Sequence, residues 1–194
     1  MSEFNQRGFV PIRNLDGGPT VTKTYRVSAG DNIAYFIGDA VTLGATGRLK
    51  PVRATANVPV GVIVGLERVS GGKPAPLTFN QPTRGPFLAT AQEGFAKVVV
   101  GLEQTYVVAI DKNITEADYG GTAFVSAGAP NTASGLSGHR LQGAVSAATD
   151  GHFQILGLAP VELLSSQFQS TASAASPVLV EVKMNRSVFN NNPV

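Results

Sequence analysis

The sequence predicts an all-β protein, a compact barrel or sandwich of about ten short strands with at most one or two short helical turns. Apolar and polar residues alternate with a period of two along most of the chain, which is typical of half-buried strands. Gly and Pro account for 22 and 12 of the 194 residues and separate these alternating segments. Only one short segment has the pattern of a helix.

The first half of the chain contains five segments with strand character, which are residues 21–27, 33–37, 40–43, 48–54 and 58–69. Gly38-Asp39 between the second and third segments indicates a turn or a bulge. Pro51 favours an edge position for the fourth, because proline cannot donate to a strand ladder. Gly61 and Gly65 divide the fifth and most apolar segment, which predicts a buried strand with close backbone approach or bending.

The second half adds five more strand segments, at residues 94–100, 105–110, 141–145, 153–158 and 178–185. The last has the clearest alternation of the chain, with one apolar face formed by Val178, Val180, Val182 and Met184. Residues 113–121 carry a polar cap candidate, acidic residues in the first turn and two terminal glycines, so they predict one or two helical turns.

The predicted organisation is an N-terminal arm (1–20), a β-rich core (21–185) and a C-terminal tail (186–194). The Gly- and Pro-rich segment 70–86 predicts a long contact loop or an internal boundary. Residues 126–138 are small and of low complexity, and they predict a second, flexible loop.

Composition excludes several classes of function. The chain lacks Cys, so it forms neither disulfides nor zinc–thiolate sites. Its 15 Lys and Arg are nearly balanced by 13 Asp and Glu and are scattered along the chain, which argues against direct nucleic-acid binding. Apolar runs fall short of the roughly 20 residues of a membrane span, and the N-terminus lacks a secretory signal. We therefore expect synthesis in the cytoplasm without export by the general route.

The sequence predicts no catalytic, cofactor or metal site, and hence no enzyme. His139 and His152 lack metal-binding spacing, and His152 follows a predicted Asp150-Gly151 turn that would leave its ring exposed. Ser137 lies in Gly135-Leu136-Ser137-Gly138, which lacks the Gly-x-Ser-x-Gly pattern of a nucleophile elbow, so a flexible loop is expected. Phosphate-loop and dinucleotide-binding motifs are absent from the sequence.

Isolated aromatic and basic residues in the arm, the long loop and the tail are the candidates for partner contacts. They are Phe4, Arg7, Phe9, Arg13, Phe79, Arg84, Phe87, Arg186 and Phe189. The alternative for the two terminal segments is a frayed end, or one that packs on its own domain.

Several segments together resemble the capsid decoration, or cement, proteins of tailed bacteriophages. The resemblance covers about residues 20 to 190 and rests on short segments: 37–41 with Gly-Asp-Ala-Val, 48–52, 58–65, 114–121, 153–158, and 178–182 before Asn185. It implies a β-rich protein without an active site on the outer capsid surface of the virion, where it stabilises contacts between major capsid protein subunits. It also implies a homotrimer or dimer.

Two alternatives remain open. One is another virion subunit, of the tail tube or a head fibre, and the other is a carbohydrate-binding adhesion module. The second is less favoured, because sugar sites stack pyranose rings on exposed aromatics and this chain has no Trp and four Tyr.

Overall fold

The structure is a computed structural model, and it describes residues 8–27, 30, 32–70, 73–76, 87–90, 92–130, 135–146, 150–159 and 178–185. These ranges contain thirteen strands, one short 3-10 turn and no α-helix, which confirms the predicted all-β class. The strands are β1 (Val10–Asn14), β2 (Thr22–Val27), β3 (Ala40–Leu43), β4 (Leu49–Pro51), β5 (Gly61–Ser70), β6 (Lys73–Pro76), β7 (Gly94–Val99), β8 (Gln104–Ile110), β9 (Thr122–Ala123), β10 (Val125–Ala127), β11 (His139–Leu141), β12 (Phe153–Leu158) and β13 (Val178–Met184).

The first sheet is a nearly closed barrel with the order β10-β11-β8-β13-β12-β9, and β1 also pairs with β8. Its two end strands, β9 and β10, are consecutive in the chain and are separated only by Phe124. One bent segment therefore pairs with β12 on one side and with β11 on the other, which joins the two ends of the sheet.

The second sheet has the order β2-β7-β5-β3-β4, with β6 paired to β5. Pro51 lies in β4 at the end of this sheet, so its predicted edge position is confirmed. A Cβ on Gly61 would lie 2.1 Å from the Val99 carbonyl oxygen, so the predicted close approach is real. The pairing with β7 shifts register between Ile63 and Gly65, which is the predicted irregularity.

Two main cores result. The barrel core contains the four alternating apolar residues of β13, as predicted, and it is completed by residues from the second sheet that include Val62 and Val99. The second core lies within the second sheet and contains Tyr35, Leu49 and Leu88. Strands β5 and β7 of the second sheet contribute side chains to both cores, and they thus connect the two sheets.

The predicted boundary after residue 20 is wrong for residues 8–14. Phe9 is buried in the barrel core, and β1 pairs antiparallel with β8 through Val10–Val107 and Pro11–Tyr106. Residues 1–7 and the predicted tail at 186–194 lie outside the described residues.

Other predicted boundaries also shift. The long loop at 70–86 begins with β6, which forms a hairpin with β5, while residues 77–86 lie outside the described ranges. The segment 33–37 makes only isolated bridges, Tyr35–Leu88 and Ile37–Leu136, because its backbone bends into the Gly38 turn. The strand predicted at 141–145 instead spans His139–Leu141, and its hairpin partner β10 overlaps the start of the predicted loop 126–138. The predicted helical segment contains a 3-10 turn at Glu116–Asp118.

Candidate functional site

The candidate site is a cavity of about 540 Å³ between the two sheets. Four segments form its walls: the turn before β3, the end of β4, residues 87–90 and the hairpin of β10 and β11. Its lining residues are Ala34, Phe36, Asp39, Pro51, Arg53, Phe87, Ala89, Thr90, Ala127, Gly128, Ala129, Pro130, Gly138 and His139.

A buried polar cluster of Asp39, Ser137 and His139 joins the two sheets at this cavity. One carboxylate oxygen of Asp39, Oδ2, accepts a hydrogen bond of 2.9 Å from the Phe36 backbone N–H. The hydroxyl of Ser137 also donates to the Asp39 carboxylate, and its oxygen accepts from the His139 N–H at 2.9 Å. Ser137 is fully buried, so it acts as a bridge between the hairpin and the turn.

The backbone fixes which nitrogen of His139 carries the proton. Nδ1 accepts a hydrogen bond of 3.1 Å from the Ala40 N–H, so it holds a lone pair and the proton of the neutral ring is on Nε2. That Nε2–H faces Asp39 Oδ1 at 3.8 Å, beyond hydrogen-bonding distance. A donor and an acceptor therefore face each other across a gap at the edge of the cavity.

Burial controls the charge of both groups. Desolvation raises the pKa of Asp39, and the nearby His139, the bonds from Ser137 and Phe36, and Arg53 offset this only in part. Desolvation also lowers the pKa of His139, which the Asp39 charge opposes. His139 is therefore a neutral imidazole at pH 7, and it presents a donor without a positive charge.

Two stacked phenylalanines form an apolar wall of the cavity. The rings of Phe36 and Phe87 lie 4.8 Å apart between centroids, at an interplanar angle of 11°. Phe36 is buried and Phe87 is half-buried. The bridge between Tyr35 and Leu88, adjacent to both rings, holds the two segments together.

The three predicted contact residues that the structure describes lie in three different places. Phe87 lies at the cavity, whereas Phe9 is a core residue that stacks on Phe153 at 4.4 Å, so its prediction as an exposed anchor is wrong. Arg13 makes two hydrogen bonds to Glu181, of 3.0 and 3.1 Å, and so has a partner within the chain. The remaining six, Phe4, Arg7, Phe79, Arg84, Arg186 and Phe189, lie outside the described residues.

The exposed position predicted for His152 is also wrong. Asp150-Gly151 does form a turn, but His152 is buried. Its Nδ1 accepts a bond of 3.2 Å from Val125 N–H, and its Nε2 lies 2.9 Å from the Thr55 carbonyl oxygen. The ring thus helps to hold the closing strand of the barrel in place.

Sequence analysis missed the polar cluster because its members are far apart in the chain. Asp39 and His139 are separated by a hundred positions, and each has an ordinary local explanation as a turn or loop residue. The available signal was two short small-residue segments, Gly38-Asp39 and Ser137-Gly138, each directly before a strand.

Comparisons with protein-family models, curated proteins and solved structures give no match to this chain. Among the described residues, no helix has the length and apolar character needed to cross a membrane. The same part of the chain contains no group of three His, Asp or Glu side chains placed to hold a metal ion.

Proposed function

We propose that this protein is a structural component of a tailed-phage virion that binds the outer surface of the assembled head. There it stabilises contacts between major capsid protein subunits, as a decoration or cement protein. The sequence resemblance motivates this proposal, and one feature of the molecular surface supports it.

That feature is an apolar strip on the N-terminal segment, defined here as Val10, Leu15 and Val21. Five large apolar side chains are exposed in the described residues, and these three, at 43, 45 and 51 %, are the members that lie near one another in sequence. Exposed apolar side chains on one segment are candidates for burial against a partner.

The backbone of the strip is anchored at two points. The Leu15 N–H donates to the Glu103 carbonyl of the barrel at 2.9 Å, and the Val21 carbonyl accepts from the Val100 N–H of the second sheet at 2.9 Å. An anchored segment loses less conformational entropy on binding than a free arm, which favours a weak contact repeated many times over a lattice.

The surface charges also suit a repetitive protein interface. Within the described ranges, five Lys or Arg side chains pair with an Asp or Glu: Arg13–Glu181, Arg26–Glu93, Lys97–Glu67, Lys112–Asp118 and Arg140–Asp111. A charge that already has its partner costs less to cover than an isolated one. Neighbouring subunits can therefore approach these faces without supplying new counter-charges.

The test is co-sedimentation of the purified full chain with expanded capsids of the source phage from which this protein has been removed. We expect saturable binding to expanded capsids and none to unexpanded ones. Leu15→Asp should weaken binding at least about tenfold. Leu158→Asp is the matched control, because Leu158 is equally exposed but lies outside the strip.

A truncation must respect the fold. Removing residues 1–7 leaves Phe9 and β1 in place and tests the terminal contacts alone, whereas removing residues 1–19 would also remove part of the core. Absence of binding to any capsid form by the intact protein would refute the proposal. Rings or filaments of the isolated protein in electron micrographs would instead support a tail-tube or fibre subunit, whereas we expect a trimer, dimer or monomer.

A further inference from the structure

We propose that the cavity between the two sheets binds a neutral polyhydroxyl ligand, a saccharide of one or two rings. This site is separate from the apolar strip of the N-terminal segment, and the inference does not depend on the virion role. It rests on the His139 Nε2–H, which lies 3.8 Å from the Asp39 carboxylate at the cavity edge, and on the surfaces beside this pair.

The gap between His139 and Asp39 selects for a hydroxyl group. The His139 Nε2–H can only donate while Nδ1 is occupied by the Ala40 N–H, and the Asp39 carboxylate offers an acceptor 3.8 Å away. A ligand hydroxyl placed between them accepts from the first and donates to the second. An ammonium group could not accept the Nε2–H, and a carboxylate would face the oxygens of Asp39.

Both groups are held in position before any ligand arrives. The Ala40 N–H fixes the His139 ring, and the Phe36 N–H fixes the Asp39 carboxylate. The residues are only 7 and 3 % exposed. A hydroxyl bound here is shielded from bulk water, so its two hydrogen bonds are stronger than they would be on the surface.

The adjacent walls favour a ring over a single water molecule. Phe87, stacked on Phe36, provides an apolar surface against which the C–H face of a pyranose can pack. Arg53 lines the same cavity and is exposed, so it can donate to further hydroxyl or ring oxygens. The volume of about 540 Å³ lies within the ordinary range of small-ligand sites.

Solvent reaches the cavity through a rim of small exposed residues. Thr90, Ala127, Ala129 and Pro130 line the cavity and are exposed. Ala129 is the position chosen for a blocking substitution, since it lines the cavity at its exposed rim and does not belong to the polar cluster.

The experiment is saturation-transfer NMR of the full chain with a panel of glucose, galactose, mannose, N-acetylglucosamine, maltose, lactose and chitobiose. We expect at least one sugar to bind with a Kd of about 1 mM. Ala129→Leu should weaken that binding at least about tenfold. Ala45→Leu, at an exposed turn outside the cavity, should leave it unchanged.

A second variant tests the gap itself. Asp39→Asn retains an oxygen for the Phe36 N–H but turns the acceptor of the ligand hydroxyl into an NH2 donor, so sugar binding should weaken if the variant remains folded by circular dichroism. The inference is overturned if no sugar binds at about 10 mM, or if Ala129→Leu binds as well as the wild type. Capsid binding that survives in Ala129→Leu would separate this outcome from the test of the virion role.

Discussion

Replacement of Arg13 by alanine is expected to destabilise the protein by about 2 kcal/mol. The side chain of Arg13 is 62 % exposed, whereas that of its partner Glu181 is only 7 % exposed. The guanidinium therefore covers a nearly buried carboxylate and supplies two charge-assisted hydrogen bonds. Without Arg13, the Glu181 carboxylate loses both hydrogen bonds in a position that water reaches poorly.

The reverse substitution should cost less. In Glu181→Ala the guanidinium of Arg13 is free to be hydrated, so we expect a loss of about 1 kcal/mol. The double variant should lose about as much as Arg13→Ala alone, with a coupling free energy of about 1 kcal/mol. Arg13→Lys should fall between Arg13→Ala and the wild type, because lysine cannot make the paired contact.

The assay is urea unfolding at pH 7 in low and high salt, with thermal unfolding in parallel, both followed by tyrosine fluorescence and circular dichroism. About 2 kcal/mol corresponds to a fall in Tm of about 4–8 °C for a chain of this size. The reasoning is refuted if Glu181→Ala is as destabilising as Arg13→Ala, or if the two effects simply add. Either outcome would mean that the pair with Glu181 does not stabilise the fold in this way, and Arg13 would again be a candidate for contact with a partner.

Three further substitutions test other parts of the fold. Phe9→Ala should lower the free energy of unfolding by about 3–5 kcal/mol. Val10→Ala, at an exposed position, is the control and should lower it by less than about 0.5 kcal/mol. Equal effects would contradict the core position of Phe9. Gly61→Ala should cost about 3 kcal/mol, because its Cβ would meet a backbone oxygen, whereas Gly65→Ala in the same strand makes ordinary contacts and serves as the control. For His139, burial lowers the folded-state pKa below the unfolded value of 6.5, so the unfolded chain takes up a proton first as the pH falls. Stability due to this group should therefore decline below about pH 6.5, by at most about 1.4 kcal/mol per pH unit. His139→Asn keeps an acceptor for the Ala40 N–H and should remove that decline, as measured by denaturant titrations between about pH 7.5 and 5. An unchanged pH profile would show that folding does not lower the pKa of His139.

Local patterns were sufficient for the strands but not for their pairing. The alternation of apolar residues predicted β13. Pro51 lies at the edge of its sheet and Gly61 lies against a neighbouring backbone, as predicted from the chemistry of each residue. β1 was missed because five residues containing a proline carry little periodic signal, and because its partner β8 lies more than ninety residues away. The assignment of residues 8–14 to the core depends on that long-range pairing.

The candidate site is non-local in the same sense. Asp39 accepts from its own turn, and Ser137 accepts from its own hairpin, so each has a sufficient local role. Only the approach of the two sheets brings the carboxylate and the imidazole together across the cavity edge. Sequence analysis could identify the turns, but it could not indicate that they meet.

The way the sheets share their cores also limits how the cavity can work. In the paired strands β5 and β7, Val62 and Val99 face the barrel core, while their neighbours Ile63 and Val98 face the second core. If the two sheets separated, Val62 and Val99 would leave the barrel core, while Ile63 and Val98 would stay packed in the second core. The cavity walls are thus parts of one continuous packed structure, so we expect a ligand to enter through the exposed rim at Ala129 without a hinge motion of the sheets.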